Sequence, residues 1–412
     1  MIIPRRLYRK LDDYTKPLFQ VRTDKDGTIT DDEIREITVR RGKSGPGGGT
    51  DPAVATVKFS KLLKLQTGAD LSIRINPTVG NELATMIGQT GERLRDRFTG
   101  RVGPTTVEDI GPGRQETTMD ATSWIAVAST SPYRQDLYAG NSLPNIINKV
   151  LRPPYYIQNK ITTEAPGDWD ILHTGFADAD YADVMGKLTS DIGVLVRPMR
   201  DGRNQIVNMP WRRDRAIDNL QGSIAIGRRH VNSPSTWEQP NELPGDEYHA
   251  TFYDGNGELT QVHTTPGGIP TGEALVRELD WTYMEFSTDQ YQHVYALRAQ
   301  TVGGHFNIPS IEVDLLRLIT SEHPWDRVVA GYLLILESGD HVYLGGDWPG
   351  TFSGIYFAEG IDETITPDSW VMKINLVPFI QVTGDKGPET PASYWDQATG
   401  IWDEQTAQWD QY

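Results

Sequence analysis

Cysteine is absent from this chain of 412 residues. Without cysteine the protein forms no disulfide, holds no cysteine-ligated zinc or iron–sulfur cluster, and has no thiol nucleophile. Composition alone therefore excludes several classes of enzyme and of metal-stabilised domain.

Long apolar runs are also missing. The longest, residues 124–128 and 332–336, fall far short of the roughly 18 apolar residues that a membrane-spanning helix needs. The N-terminal residues carry positive charge, but no apolar core follows them, so we expect no signal peptide. We therefore expect a soluble protein that folds in a cytoplasm and is not inserted in a membrane.

Positive charge is scarce as well. The chain has 39 Lys and Arg against 56 Asp and Glu, a net charge of −17, and a pI near 4.9. Proteins that grip nucleic-acid backbones concentrate basic residues to displace counterions, so this balance argues against such a function. We interpret the basic residues near the start of the chain as charges that face solvent or an interface. They are Arg5, Arg6, Arg9, Lys10, Arg40, Arg41 and Lys43.

Catalytic and ligand-binding motifs are absent or have the wrong spacing. The acidic run that begins at Asp24 places Ile29 and Arg35 where a calcium loop requires Gly and Glu. Residues 42–44 lack the earlier glycine of a phosphate-binding loop, and there is no His-Glu-x-x-His or Gly-x-Ser-x-Gly motif. The sequence therefore predicts no catalytic residue, no cofactor site and no metal site, and we expect a protein that is not an enzyme.

Turn-forming residues are plentiful, with 40 Gly and 26 Pro, and this balance favours short strands over long helices. Apolar residues alternate with polar ones in the first third of the chain, which is typical of strands that form a small antiparallel barrel. The predicted strands are residues 34–41, 54–59, 71–75, 97–102 and 117–127. Asp26-Gly27 and residues 45–49 supply turns.

The apolar period changes in the middle of the chain. Helical spacing predicts one helix after Ser142 and another over residues 181–192. A hairpin is predicted at residues 194–209, with Asp201-Gly202 as its turn.

Strands are predicted again in the last part of the chain, where a second barrel is the simplest account. They are residues 249–253, 291–302, 328–336, 341–344, 353–361 and 370–377. Residues 311–319 fit either a strand or a short helix. After Phe379 the composition shifts to Gly, Pro and acidic residues, which indicates a linker.

We therefore predict a mainly β protein with an α+β insert, divided into four parts. They are a first β-barrel domain (residues 1–131), an αβ domain (132–215), a second β-barrel domain (216–382) with an insert around residues 266–319, and a linker with an extended tail (383–412). This division suits the chain length, since domains typically have about 100 to 150 residues.

The extended tail carries a repeat in which Trp-Asp pairs recur every seven residues, at Trp395, Trp402 and Trp409. The repeat is too short for a propeller blade, which has about 40 residues. Buried tryptophans often dominate the energy of interfaces. We therefore predict that these three residues dock on a partner protein or another copy of this chain, with folding back onto their own subunit as the alternative.

Three stretches, taken together, resemble the hub proteins of long-tailed phages and related contractile machines. Residues 34–59 hold a strand, an Arg-Gly-Lys-Ser turn and an Ala-Thr-rich strand, similar to the start of the first hub barrel. Residues 97–102 and 118–125 are similar to later strands of that barrel, and residues 355–376 to the closing hairpin of the last barrel. The Trp-Asp repeat resembles the ends of actinobacterial-phage minor tail proteins.

The resemblance implies a homotrimer in which two barrels per chain alternate in a pseudo-sixfold ring, so that a sixfold tail tube joins a threefold tip. It implies a place in the virion, at the tail tip or baseplate, after synthesis in the host cytoplasm. The implied partners are the tail tube ring, other tip or fibre proteins and the tape-measure protein. DNA passes through the ring without sequence recognition, and acidic residues either line this channel or spread over the outside. The family offers no catalytic motif to transfer.

Two other functions stay open from the sequence. The acidic and aromatic composition is compatible with a cell-wall hydrolase, which lysis of purified host walls would reveal. Exposed tryptophans are compatible with a receptor-binding or carbohydrate-binding protein, which saturable binding to host cells would reveal.

Overall fold

One sheet of twelve strands dominates the protein, as seen in a computed structural model. The structure describes residues 19–25, 27–30, 33–42, 52–75, 81, 83–85, 87, 96–112, 114–123, 125–126, 141–142, 161–163, 170–171, 195–207, 224–232, 247–253, 259–264, 276–280, 308–345, 348 and 354–378. The strands in chain order are β1 (Phe19–Thr23), β2 (Gly27–Thr30), β3 (Ile34–Gly42), β4 (Val54–Phe59), β5 (Asp70–Ile75), β6 (Asp96–Gly111), β7 (Arg114–Thr122), β8 (Asn141–Ser142), β9 (Ile161–Thr163), β10 (Asp170–Ile171), β11 (Leu195–Pro198), β12 (Asn204–Val207), β13 (Ala225–Ile226), β14 (Glu247–Tyr253), β15 (Leu259–Thr264), β16 (Val276–Asp280), β17 (Ser310–Asp314), β18 (His341–Leu344), β19 (Gly354–Thr366) and β20 (Ser369–Pro378).

The strand order of the large sheet is β2-β1-β5-β6-β7-β4-β3-β19, and β19 also pairs with β20 and β18. Beyond these, β17 pairs with β20 and β13 with β18. Three smaller sheets are described: β8 with β10, β9 with β11 and β12, and β14 with β15 and β16.

The first strands alternate buried and more exposed residues, as the sequence predicts. Side chains of Ile37 and Val39 on β3, and of Val57 and Phe59 on β4, are buried on one face of the sheet. The predicted strands in this region are confirmed as β3, β4, β5, the first part of β6, and β7. The strand predicted at residues 117–127 extends too far, because β7 ends at Thr122 and residues 125–126 are helical. Of the predicted turn at Asp26-Gly27, only Gly27 lies within the described residues; it begins β2 and has a positive φ of 83°.

Strands from the two predicted barrels form one continuous sheet. β19 runs antiparallel to β3, with Ile361 opposite Arg41 and Ile365 opposite Ile37. The sheet is curled, which brings strands that are far apart in the strand order close together. The ring of Phe19 on β1 contacts that of Trp370 on β20, with 4.8 Å between the ring centroids. The mainly β fold is thus confirmed as a curled half-barrel, while the two-barrel division and its boundaries stay predictions.

Two helices follow β17: α1 (Leu315–Thr320) and α2 (Pro324–Ile335). Residues 311–319 therefore include both a strand and part of a helix, and Asp314 caps α1 by accepting a hydrogen bond from the Arg317 amide at 3.0 Å. The predicted strand at residues 328–336 is wrong, because these residues lie mainly in α2. Pro324 suits the first turn of a helix, and His323 caps it by accepting from the Trp325 amide.

The predicted hairpin near residue 200 is confirmed as β11 and β12, with Gly202 in the turn at a φ of 85°. Residues 249–253, 341–344 and 370–377 are confirmed within β14, β18 and β20, and most of residues 353–361 lie in β19. The predicted helices after Ser142 and over residues 181–192, the strand at 291–302 and the Trp-Asp tail lie outside the described residues.

The larger of the apolar clusters that the structure describes connects the two halves of the large sheet with α1 and α2. Side chains from β3, β4 and β5 share this core with Leu333 and Leu334 of α2 and with Ile361 of β19. Neither helix, nor any other helical residue that the structure describes, provides a segment long and apolar enough to span a membrane.

Replacement of Gly42 by alanine is expected to reduce the free energy of unfolding by about 2 kcal/mol. Gly42 has a φ of 71°, and a Cβ atom there would lie 2.2 Å from the carbonyl oxygen of Glu359 and 2.5 Å from Cβ of Ser338. Gly68 is the matched control, because it has a φ of 83° and open space around the same position. Urea unfolding of both variants measures the difference, and an equal loss in G42A and G68A would contradict the steric argument.

Candidate functional site: a buried charge cluster

Charged side chains lie inside the core where β3, β6 and β19 come together. Arg41, Arg97 and Glu363 are each at most 1% exposed. Side chains of a strand alternate between its two faces, and Arg41 lies on the same buried face of β3 as Ile37 and Val39. The charged group of Arg41 is therefore buried with them. The interpretation of Arg41 as a charge facing solvent or an interface is therefore wrong.

Glu363 is the centre of the cluster and accepts hydrogen bonds from three side chains. Arg97 donates from Nε to Oε2 at 3.1 Å and from Nη2 to Oε1 at 2.7 Å. Arg41 donates from Nη2 to Oε1 at 2.7 Å, and Trp370 donates from Nε1 to Oε2 at 3.2 Å. Both oxygens of this buried carboxylate are therefore occupied by donors.

Glu337, which follows α2, is the second buried carboxylate of the cluster. Its Oε2 lies 3.4 Å from Nη1 of Arg41, and its Oε1 lies 2.9 Å from Nε of Arg200. Arg97 connects the same region to α2 by donating to the carbonyl of Leu334 at 2.6 Å. The cluster thus links the first strands of the sheet to the segment after α2.

The β11–β12 hairpin joins this cluster through two arginines. Arg197 donates to the carbonyl of Ser338 at 2.9 Å and to Oδ1 of Asp340 at 2.7 Å. Arg200, at the turn of the hairpin, donates from Nη2 to the carbonyl of Ile335 at 3.0 Å. Charged residues from five separate stretches of the chain therefore meet in one cluster.

The charges change the ionisation of the buried groups. Burial by itself would raise the pKa of Glu363, but Arg97 and Arg41 outweigh it and hold the pKa below the usual 4.5. Burial lowers the pKa of Arg200 to about 10, although Glu337 opposes this shift. Burial lowers the pKa of Arg41 as well. Glu363 is therefore a carboxylate and Arg200 a cation at neutral pH.

The arrangement holds the chain together. Arginine donors contact both buried carboxylates. In the part of the chain that the structure describes, no three His, Asp or Glu side chains gather to hold a metal ion. Arg41 and Glu363 are 322 residues apart in the sequence, so the cluster fixes how distant segments meet.

The residues predicted as a docking site, Trp395, Trp402 and Trp409, lie outside the described residues. Sequence patterns did not lead to a prediction of the buried cluster. A signal was present, because Arg41 continues the buried face that Ile37 and Val39 begin, and Glu363 lies between Ile361 and Ile365 on the buried face of β19. A charged residue at an inward position of a strand indicates a buried ionic partner.

These features define a mainly β protein whose central polar cluster serves packing. Solved structures of two tail proteins, one of them from a prophage, have the same fold. A tail protein from Neisseria meningitidis matches with a TM-score of 0.57 and 10% identity, over 90% of this chain and 98% of that chain. The 43 kDa tail protein of prophage MuSo2 from Shewanella oneidensis matches with a TM-score of 0.54 and 10% identity, over 88% and 98%. The predicted resemblance to phage tail proteins is confirmed at the level of the fold.

No family model and no curated protein matches the sequence. At 10% identity the likeness to the two tail proteins is one of fold.

Proposed function

We propose that the chain is a structural component of a phage tail, and specifically the hub of its tip or baseplate. One observation carries the proposal: the fold matches that of the tail protein from Neisseria meningitidis over 90% of this chain and 98% of the other. The match covers most of both chains and therefore does not rest on one common motif. As a hub, the protein acts by assembly and not by catalysis.

The proposed assembly is a homotrimer in which two barrel-like units per chain alternate around a channel. Three copies of two similar units present six similar surfaces, which allows a sixfold tail tube to dock on a threefold tip. The tail tube ring, other tip or fibre proteins and the tape-measure protein are the proposed partners, and DNA passes through the channel during ejection. The buried charge cluster suits this role, because it fixes the relative position of segments that the ring must hold in place.

Negative-stain microscopy and mass measurement of the purified chain test the proposal. A trimeric ring with a central opening is the expected result. A chain that is monomeric or dimeric in assembled particles would contradict it, as would its absence from the tail tip after immunogold labelling.

Deletion of all residues after Ser393 is expected to leave the ring intact and to remove one neighbouring protein from the particle. The deleted segment contains Trp395, Trp402 and Trp409, the proposed docking residues. Mass spectrometry of purified particles measures the composition, and a variant with the three tryptophans changed to serine is the control that retains the length of the tail. Particles that keep every component and full infectivity with either variant would overturn the docking proposal.

A further inference from the structure

The β11–β12 hairpin belongs to a different sheet from the strands on which it rests. Its sheet contains β9, β11 and β12, whereas β3, β6 and β19 belong to the large sheet. The turn of the hairpin packs on β6, since a Cβ atom on Gly202 would lie 2.9 Å from Cγ2 of Thr99. The hairpin and the large sheet therefore make contact without sharing backbone pairing.

Hydrogen bonds from arginine dominate the described contact between the hairpin and the segment after α2. Arg197 reaches Ser338 and Asp340, and Arg200 reaches Ile335 and Glu337. A contact built from charges separates at lower cost than an apolar one, because the exposed groups are hydrated after separation. This chemistry suits a surface that is exposed in one state and buried in another.

The charges that stay behind remain largely paired. Without the hairpin, the large sheet and the segment after α2 retain Arg41 and Arg97 against Glu337, Glu363 and Asp340, which is two positive and three negative groups. The additional negative group is Asp340, whose side chain is 24% exposed and therefore already in contact with water. Arg41 and Arg97 still bind Glu363, and Glu337 still binds Arg41. The inner part of the cluster therefore remains paired when Arg197 and Arg200 leave.

We propose that the β11–β12 hairpin is a releasable latch, which separates from the large sheet as a unit while that sheet stays folded. In the closed state, Arg197 and Arg200 hold the hairpin in place through their contacts with the segment after α2. In the open state, water hydrates the charges of these two arginines and stabilises the separated hairpin. The separation itself is a property of the chain. Its role, a movement of the tail tip that widens the path for DNA, rests on the proposed function.

Hydrogen exchange of the full-length protein, measured by mass spectrometry, tests the separation. The double variant R197Q/R200Q removes the ionic contacts and is expected to make amides of residues 195–207 exchange about tenfold faster or more. Amides of β3 and β19 are expected to keep their wild-type rates. The variant E363Q is the contrast, because it removes the inner partner and is expected to speed exchange in β3 and β19 as well.

Two outcomes would overturn the latch. Faster exchange of β3 and β19 in R197Q/R200Q, to the same extent as in the hairpin, would show that the hairpin is an integral part of the fold. Unchanged exchange of the hairpin would show that the arginines do not hold it.

A cross-link provides a second test that leaves the arginines in place. The chain has no cysteine, so the variant T99C/G202C has one thiol pair. The Cβ positions are 3.0 Å apart, and a small shift brings them to the roughly 3.5 to 4.5 Å of a disulfide. The oxidised and reduced forms carry the same substitution at residue 202, so any strain there affects both forms and drops out of the difference between them. The oxidised form is expected to slow hairpin exchange about tenfold or more relative to the reduced form, and equal exchange would contradict the proposal.

The same cross-link separates the latch from the proposed function. Particles with the oxidised variant at the tail tip are expected to retain their DNA until reductant is added. Normal ejection from such particles would refute the role of the latch alone. Particles that lack this chain at the tip would refute the proposed function instead.

Discussion

Replacement of Glu363 by glutamine is expected to lower the free energy of unfolding by about 3 to 5 kcal/mol. Glutamine is nearly the same size as glutamate but has no charge, and its amide group is a donor where Arg97, Arg41 or Trp370 already donates. Two buried guanidinium groups would then have lost their shared carboxylate. Loss of one partner from a buried ionic network costs far more than loss of a surface ion pair.

The neighbouring residue Asp362 provides the control for this variant. Its side chain is 36% exposed and lies 3.8 Å from Arg40, which is itself exposed. The variant D362N, on the same strand, is expected to change the free energy of unfolding by less than about 1 kcal/mol. Chemical denaturation of both variants gives the comparison, and similar losses for E363Q and D362N would show that the cluster contributes little.

The stability difference between the wild type and E363Q should also depend on pH. The pKa of Glu363 in the folded protein lies below its usual value of 4.5. A carboxylate of this kind stabilises the fold at pH above its unfolded pKa, and this contribution is lost as the pH falls through its folded pKa. The difference should therefore be constant near neutrality and shrink in acid below about pH 4.5. A difference that does not change with pH would contradict this assignment.

Residues 1–131, produced alone, are expected to remain unfolded or to aggregate. In the full chain β3 pairs with β19, and this pairing would be absent from the fragment. Arg41 and Arg97 would have no Glu363, and Phe19 would have no Trp370. Two arginines that lack their carboxylate cost roughly 3 to 5 kcal/mol each, and together with an unpaired strand edge this is comparable to the roughly 5 to 15 kcal/mol that stabilises a domain. Circular dichroism and denaturant titration measure whether the fragment folds cooperatively.

Co-expression with residues 308–382 is the matched rescue experiment. This second fragment contains α1, α2 and β17 to β20, and supplies both Glu337 and Glu363. A soluble complex is expected with the wild-type second fragment and a much smaller yield with its E363Q variant. Cooperative folding of residues 1–131 alone would instead establish the first predicted barrel as an independent domain.

Local patterns were enough to predict many strands and one hairpin. Strand β4 alternates buried and partly exposed residues without interruption, and a strand with this period has one face to bury. The turn at Gly202 was predictable for a similar reason, since glycine there tolerates a positive φ. Each of these features depends on residues that are close together in the chain.

Helix α2 shows where local patterns were insufficient. Residues 328–336 are a short apolar run that suits a buried strand as well as a buried helix. The helix is favoured by Pro324, the cap at His323 and Asp326 in the first turn, which lie just before that run. Ala330 and Leu333, three residues apart, are both buried in α2. The run therefore does not alternate buried and exposed residues as a half-buried strand would.

The sequence by itself determined that the protein has no disulfide or cysteine-ligated metal, that its fold is mainly β, and that it resembles phage tail proteins. The tertiary structure decided that β19 pairs with β3 and that Arg41, Arg97 and Glu363 form a buried cluster. Arg41 and Glu363 are separated by 322 residues, and no periodicity or spacing within either segment specifies the other. Their pairing depends on closing a very long loop and on burying both charges at once, and only the folded chain meets both conditions.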